Sequence, residues 1–288
     1  MEDPSKCYYI ETITPKNTVL LVEPRRIMYV ITILKNAFDV LGDKWNYVFY
    51  CGKSVYDEWC SILPSFIEIR ALQCDNLTAD EYNSFFKTTK LWSSLYGKFI
   101  LTIQLDSWLL NEYPYTIDYF LKLDKSFIGG GMSSRWEVFA DHGIYLPFNN
   151  LNGGLSLRKR EDMITVIDYF SSMNDEGINS LPEDVYLSLG CYKLNKKIGD
   201  DEPSFHFALH KVYCDKSFGI HKLCLPPIQE QFWKRYPTLV YTNPYVFVYV
   251  YPESMKYKQN VYNNVVDFSS PVIWQPYVGN VASYCLLK

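Results

Sequence analysis

The sequence predicts an α/β fold: a mostly parallel central sheet flanked by helices, followed by a β-rich C-terminal extension. Three observations carry that expectation. Over the first hundred residues, short apolar runs of strand length alternate with longer segments of helical periodicity. The chain has 288 residues, 48% of them hydrophobic and 21% charged, so it can bury a sizeable core. From about Leu225 the text changes to proline-punctuated, tyrosine-rich segments such as Val246 to Tyr251, which read as strands.

Thr18 to Val22 is an apolar, β-branched run closed by Glu-Pro-Arg-Arg. Ile27 to Leu41 follows with apolar residues at helical spacing until Gly42 stops it. Trp45 to Tyr50 and Phe66 to Ile69 repeat the strand signal on either side of a helical stretch, Ser54 to Cys60. Thr78 is placed to cap a helix that runs to Tyr96 before Gly97, and Lys98 to Gln104 is a fourth strand. Beyond it the alternation loosens. Phe127 to Gly131 and Leu155 to Arg158 read as short strands, Glu161 to Met173 and Pro182 to Leu189 as helices. In such sheets ligands gather at the carboxyl ends of the strands.

Composition excludes several classes of function. A formal charge of -4 with no dense basic run gives no footprint for nucleic acid. No run approaches the roughly 18 apolar residues of a membrane helix, and the acidic start lacks the apolar stretch of a signal peptide, so a cytoplasmic protein is expected. The eight cysteines form no Cys-x-x-Cys pair, which points to reduced, mostly buried thiols.

Four features carry chemistry. Gln104-Leu105-Asp106-Ser107 puts a carboxylate at the end of the fourth strand, where it either caps the next turn or faces a ligand. Ser217 to Lys222 holds one of four histidines, His221, behind a glycine; such a histidine is structural or a ligand. In Ser180-Leu181-Pro182-Glu183-Asp184, Ser180 and Glu183 fit a capping box, which leaves Asp184 as the site carboxylate. Asn150 to Arg158, NLNGGLSLR, sets two glycines against a strand, so the backbone there approaches something closely. Arg158 is placed to pair with a phosphate or with a structural carboxylate.

This arrangement resembles a glycosyltransferase of the GT-A (Rossmann-like) fold. More narrowly, it resembles a family of glycosyltransferase-like proteins catalogued as a domain of unknown function and common in microbes and large DNA viruses. The stretches that carry the likeness are LLVEPRR (20–26), LWSSLYGKFILTIQLDSWLL (91–110), DKSFIGGGM (124–132), NGGLSLR (152–158), PEDVYLS (182–188) and FGIHK (218–222). The resemblance implies a domain over 1–225, its nucleotide-binding half about 15–110 and its acceptor half about 111–225, with 226–288 as the β extension. It implies that Asp106 and His221 hold Mn2+ or Mg2+ on the donor diphosphate. Glu23, Arg25, Gln104, Ser107 and Lys222 would bind the donor, a UDP-sugar in preference to a GDP-sugar. Asn152, Gly153, Gly154, Glu183 and Arg158 would form the sugar and acceptor pocket, with Asp184 the catalytic base toward a glycan or glycoprotein. For a virus-borne copy the compartment would be the host cytoplasm. Two places depart from the pattern: Leu105 stands where the family more often has threonine, and Gly130, Gly131 and Met132 where it has Ala-Pro-Trp or similar.

Two other readings compete. A sugar nucleotidyltransferase would carry a glycine-rich basic loop after the first strand, and Glu23-Pro24-Arg25-Arg26 contains no glycine. A catalytically silent carbohydrate-binding or structural protein would use aromatic residues such as Trp233, Tyr236, Tyr241 and Trp274 to stack on sugar rings.

Overall fold

The computed structural model describes residues 15–131, 152–173, 175–223, 225–237 and 239. Its strands are β1 (Thr18–Val22), β2 (Asn46–Cys51), β3 (Ile67–Ala71), β4 (Phe99–Ile103), β5 (Ser107–Leu109), β6 (Phe127–Gly130), β7 (Asn152–Lys159), β8 (Ala208–Leu209) and β9 (Gly219–His221). The α-helices are α1 (Tyr29–Leu41), α2 (Tyr56–Ile62), α3 (Ala79–Phe86), α4 (Thr89–Ser93), α5 (Ile117–Leu123), α6 (Arg160–Met173), α7 (Glu176–Asn179), α8 (Glu183–Lys193), α9 (Asp201–Phe207) and α10 (Pro226–Arg235). Six strands form the central sheet in the order β3-β2-β1-β4-β7-β6, and β5-β9-β8 form a small second sheet. The first four pair in parallel, whereas β7 runs antiparallel to β4 and β6 antiparallel to β7. The expected mixed α/β, mostly parallel, Rossmann-like architecture is the one observed.

All five residues of β1 are buried because helices cover both faces of the sheet. Val19 and Leu21 enter a core shared with α1, the small sheet and α10 through Leu34, Ile220 and Phe232. Leu20 and Val22 point the other way, onto Phe86, Trp92, Met163 and Val185. Burying each such aliphatic side chain contributes roughly 1.5–3 kcal/mol. With both faces covered, open ground for a ligand lies at the strand ends.

Two expectations about elements need correction. The helix expected over 78–96 is two helices, because Thr88 takes an extended backbone and caps α4 by accepting the Leu91 N–H. Lys87, just before it, donates to the carbonyls of Asn179 and Leu181, both at 2.7 Å, which ties the break to the start of α8. The second correction concerns the C-terminal extension, whose first part, Pro226–Arg235, is helical rather than β. Proline suits a first helical turn, and Ile228 and Phe232 recur at helical spacing into the core. Arg235 and the Tyr236 hydroxyl both reach the Glu112 carboxylate, fastening α10 to the loop after β5. Trp233 and Tyr236 pack against the core here, which removes them as exposed sugar platforms. The expected strand at 246–251, Tyr241 and Trp274 lie outside the described residues.

Among the described cysteines all are free thiols, with Cys51 and Cys191 buried and Cys60 exposed. No helix among the described residues is long and apolar enough to cross a membrane.

Helix α3 borders the ligand side of the sheet, and its start is a full capping box. Thr78 Oγ1 accepts from the Glu81 N–H at 3.2 Å, and Glu81 Oε2 accepts from the Thr78 N–H at 2.8 Å. Thr78→Ala should therefore cost about 1 kcal/mol, read as a lower urea midpoint with an unchanged slope.

Candidate functional site

A cavity of about 890 Å3 opens where β1 and β4 end. Val22 and Glu23 to Arg25 line it beyond β1, Gln104 to Asp106 beyond β4, and Asn152 and Gly154 at the start of antiparallel β7. Helix α3 contributes Thr78, Ala79, Tyr82 and Asn83; α8 contributes Glu183 and Asp184; the end of β9 contributes His221 and Lys222. Of the site residues the sequence proposes, Ser107, Gly153 and Arg158 do not line it.

Sheet pairing brings Asp106 and His221 together across more than a hundred residues. β5 and β9 pair antiparallel with Ser107 opposite His221, and the Lys222 N–H donates to the Asp106 carbonyl at 2.9 Å. His221 Nε2 then sits 3.1 Å from Asp106 Oδ1. The contact is not aligned as a hydrogen bond, and both imidazole nitrogens of this 3% exposed residue lack a hydrogen-bond partner. Buried polar atoms normally have one. Burial would push the Asp106 carboxyl up, but the attraction of His221, aided by Lys222, outweighs it and holds the group below its usual range. Ser107 is buried and serves the turn: its hydroxyl donates to Gln104 O at 2.6 Å and accepts from the Gln104 N–H.

The glycine pair joins this corner to a second one. A Cβ on Gly154 would lie 2.1 Å from His221 Nε2, and one on Gly153 would lie 2.4 Å from Glu183 Oε1 and 2.7 Å from Arg158 Nη2. Neither glycine has a positive φ, so close approach, not turn geometry, is what requires them. The Gly153 N–H donates to Asp184 Oδ2 at 3.0 Å, while the Gly154 N–H donates to Asn152 Oδ1 at 2.9 Å.

Arg158 is fully buried and bound to a structural carboxylate rather than open to a phosphate. Its Nη1 and Nη2 reach Glu183 Oε2 and Oε1 at 2.5 and 3.0 Å, Nη2 also donates to Gly153 O, and Nε donates to Ser156 Oγ. The rings of Phe127, Phe86 and Trp92 lie 4.8 to 5.7 Å from the guanidinium carbon. This corrects the expected capping box. Glu183 turns to the buried cation instead of capping; its N–H donates to Asn83 Oδ1 at 3.0 Å, and the Ser180 hydroxyl donates to Gly177 O. Asp184, the next residue, is half-buried and accepts from the N–H groups of Gly153 and Val185. Burial, then the neighbouring Glu183 charge, pushes its carboxyl up to about 6, against the opposing pull of those hydrogen bonds and of Arg158.

At the other end of the cavity Arg25 clamps Glu23: its N–H and Nε donate to Oε1 at 3.0 and 2.8 Å, and Nη2 donates to Oε2 at 2.8 Å. Sequence reasoning missed Tyr82, Asn83 and His210. Gln104 Nε2 donates to the Tyr82 hydroxyl at 2.9 Å, and burial raises that phenol well above its ordinary range. Tyr82 belongs to a stretch whose periodicity marks only a helix, so nothing local distinguished it from a core aromatic.

Among the described residues no group of three or more His, Cys, Asp or Glu side chains is gathered to hold a metal. Asp106 and His221 make a pair of donors, one oxygen and one nitrogen.

The sequence from 66 to 221 matches a family described as a protein of unknown function, DUF5672. The chain belongs to that family. The DUF5672 match covers more than half of the 288 residues and takes in Asp106, the glycine pair, Arg158, Glu183, Asp184 and His221. It leaves outside the Glu23–Arg25 clamp and Lys222. No curated protein matches the chain.

Removing one partner of a buried, hydrogen-bonded ion pair strands the other charge, so Arg158→Met alone should cost about 3–5 kcal/mol. Arg158→Met with Glu183→Leu should cost clearly less than the two single losses added, by chemical denaturation. Additive losses would mean that the pair is not coupled.

Proposed function

We propose that this chain is a metal-dependent glycosyltransferase that moves a sugar from a nucleoside diphosphate sugar to a hydroxyl acceptor on a glycan or glycoprotein. One observation carries the reading. Two consecutive glycines of one strand bring a buried imidazole with two unpartnered nitrogens beside Asp106 on one side, and a carboxylate raised to about 6, Asp184, on the other. Consecutive Cα atoms are 3.8 Å apart. An electrophile held at the first corner therefore lies within reach of a base at the second.

The donor set at the first corner fits a divalent cation. Asp106 supplies an anionic oxygen and His221 an imidazole nitrogen with no competing hydrogen bond, and diphosphate oxygens with water would complete a mostly oxygen shell. That shell suits manganese or magnesium, and the imidazole favours manganese. Bound there, the cation would act as a Lewis acid on the leaving diphosphate.

The chain's own groups divide the remaining work. Glu23 and Arg25 at the end of β1 and Lys222 beside Asp106 border the place of the donor, a UDP-sugar in preference to a GDP-sugar. In an inverting transfer the acceptor oxygen forms its bond to the anomeric carbon as the sugar to phosphate bond breaks. The acceptor proton passes to Asp184, and a carboxylate so placed typically contributes 10² to 10⁴ in rate. Glycines 153 and 154 keep the space between the two corners free of side chains.

Mn2+ with UDP should raise the melting temperature beyond either alone, since a ligand at 100 times its Kd adds about 2.7 kcal/mol. No shift with UDP or GDP in the presence of Mn2+ would sink the donor site. The Asp184 carboxylate must be ionised to accept a proton and its pKa is raised, so the transfer rate should climb as pH rises through about 6. Asp184→Asn should spare Mn2+ and UDP binding while lowering transfer by at least about 10². Full activity in that variant would remove Asp184 as the base.

A further inference from the structure

His210 has no part in the reading above, yet it is firmly tethered beside the site. It follows β8 directly and is 4% exposed. Its Nδ1 lies 2.8 Å from His221 O and 3.0 Å from Lys222 O. Carbonyl oxygens only accept, so Nδ1 carries the hydrogen and donates to both, which fixes the tautomer. The two imidazoles stack with centroids 5.5 Å apart and planes 25° from parallel. Gly130 leaves room for this, since a Cβ there would come within 3.2 Å of His210 Cβ.

The turn that His210 grips is strained. Lys222 has φ +46°, a left-handed conformation that costs a non-glycine residue on the order of 1 kcal/mol. It persists only where its surroundings hold it. The Lys222 N–H is taken by the Asp106 carbonyl on one side, and the two carbonyls of the turn by His210 on the other. This grip acts on the backbone of His221 and leaves both of its ring nitrogens uncommitted.

We propose that His210 is a positioning residue for His221: one buried N–H shared between the carbonyls of residues 221 and 222, with the ring stacked on its neighbour, holds the His221 imidazole at Asp106 ready for a divalent cation. The inference rests on the reading in which Asp106 and His221 hold that cation. His210 itself acts through the turn and does not touch the metal.

The test compares the full chain with His210→Asn, which keeps a donor close to the place of Nδ1, and with His210→Leu, which has nearly the same shape and no donor. His210→Phe, which keeps the ring and loses the donor, is the third variant. Free Mn2+ is counted by electron paramagnetic resonance with UDP present, well below each melting temperature. The Kd for Mn2+ should weaken at least about tenfold in the Leu and Phe variants, the scale expected when a partner orienting a metal ligand is lost. In His210→Asn it should stay within about threefold of the unsubstituted chain. Equal Kd in the Leu or Phe variant and the unsubstituted chain overturns the proposal. So does a loss in Asn that matches Leu, which would mean that packing and not the donor matters. If Leu and Phe do not fold while Asn does, the test rests on His210→Asn, and a Kd for Mn2+ more than about threefold weaker than that of the unsubstituted chain overturns the proposal. Absence of Mn2+ binding by the unsubstituted chain would overturn the metal reading and this inference with it, and is seen without any variant.

Discussion

The buried ion pair between Arg158 and Glu183 is the constraint on which the rest of the site depends. A guanidinium with no exposure is costly to remove from water, and only excellent geometry offsets that cost. Here every side of it is engaged: the Glu183 carboxylate binds it bidentately, Gly153 O and Ser156 Oγ take further donors, and three aromatic rings surround it. The pair joins the end of β7 to the first turn of α8. Because Glu183 is fixed, Asp184 is fixed too, about 100° further round the helix, where it receives the Gly153 N–H. Because Arg158 reaches back to Gly153 O, the start of β7 cannot drift from the strand that carries it. The same close packing dictates glycine at 153.

A second constraint is topological. The parallel strands deliver Glu23 and Asp106 to one edge of the sheet, but a parallel sheet alone returns the chain to that edge only at strand ends. The reversal of β7 puts the beginning of a strand there, with Ile103 opposite Leu155. The small sheet then places the end of β9 beside the start of β5. Asp106, His221, Gly154 and Asp184 thus converge from four separate stretches of sequence: strand pairing places the first three, and the Arg158–Glu183 ion pair with the Gly153 N–H fixes Asp184.

The central strands were legible because both their faces are buried: β1 coincides with the expected run of residues 18 to 22, and β2, β3 and β4 differ from their expected bounds by one or two residues at each end. The cap at Thr78 was legible as a threonine opening a helical run, and Glu81, three residues on, completes a capping box with it in the structure. The similar pattern at Ser180 misled, because a buried cation 25 residues away outcompetes the local N–H for Glu183, and local text carries no trace of that competition. Tertiary context likewise drew Pro226–Arg235 into a helix against the core, whereas Ser107 serves its turn through hydrogen bonds to Gln104, only three residues away. Of the site, Asp106, His221, Asp184 and the glycine pair could be singled out from the sequence. Tyr82, Asn83 and His210 could not, since each owes its place to a partner more than ten residues distant.

Four carboxylates border the cavity, and their partners sort them. Glu23 is clamped by Arg25, Glu183 by Arg158, and Asp106 lies against His221 with Lys222 nearby. Asp184 has no ion pair among the described residues and stands next to the charge of Glu183. Burial and neighbouring charge decide the outcome: His221 outweighs burial and holds Asp106 down, whereas burial and then Glu183 push Asp184 up to about 6. Two carboxylates pushed apart in this way are suited to different chemical roles. The depressed one stays anionic across the physiological range, as a cation site requires, while the raised one can exchange a proton near neutrality. Burial raises Asp184 most and the Glu183 charge adds to it, while Arg158, paired with Glu183, pulls the other way.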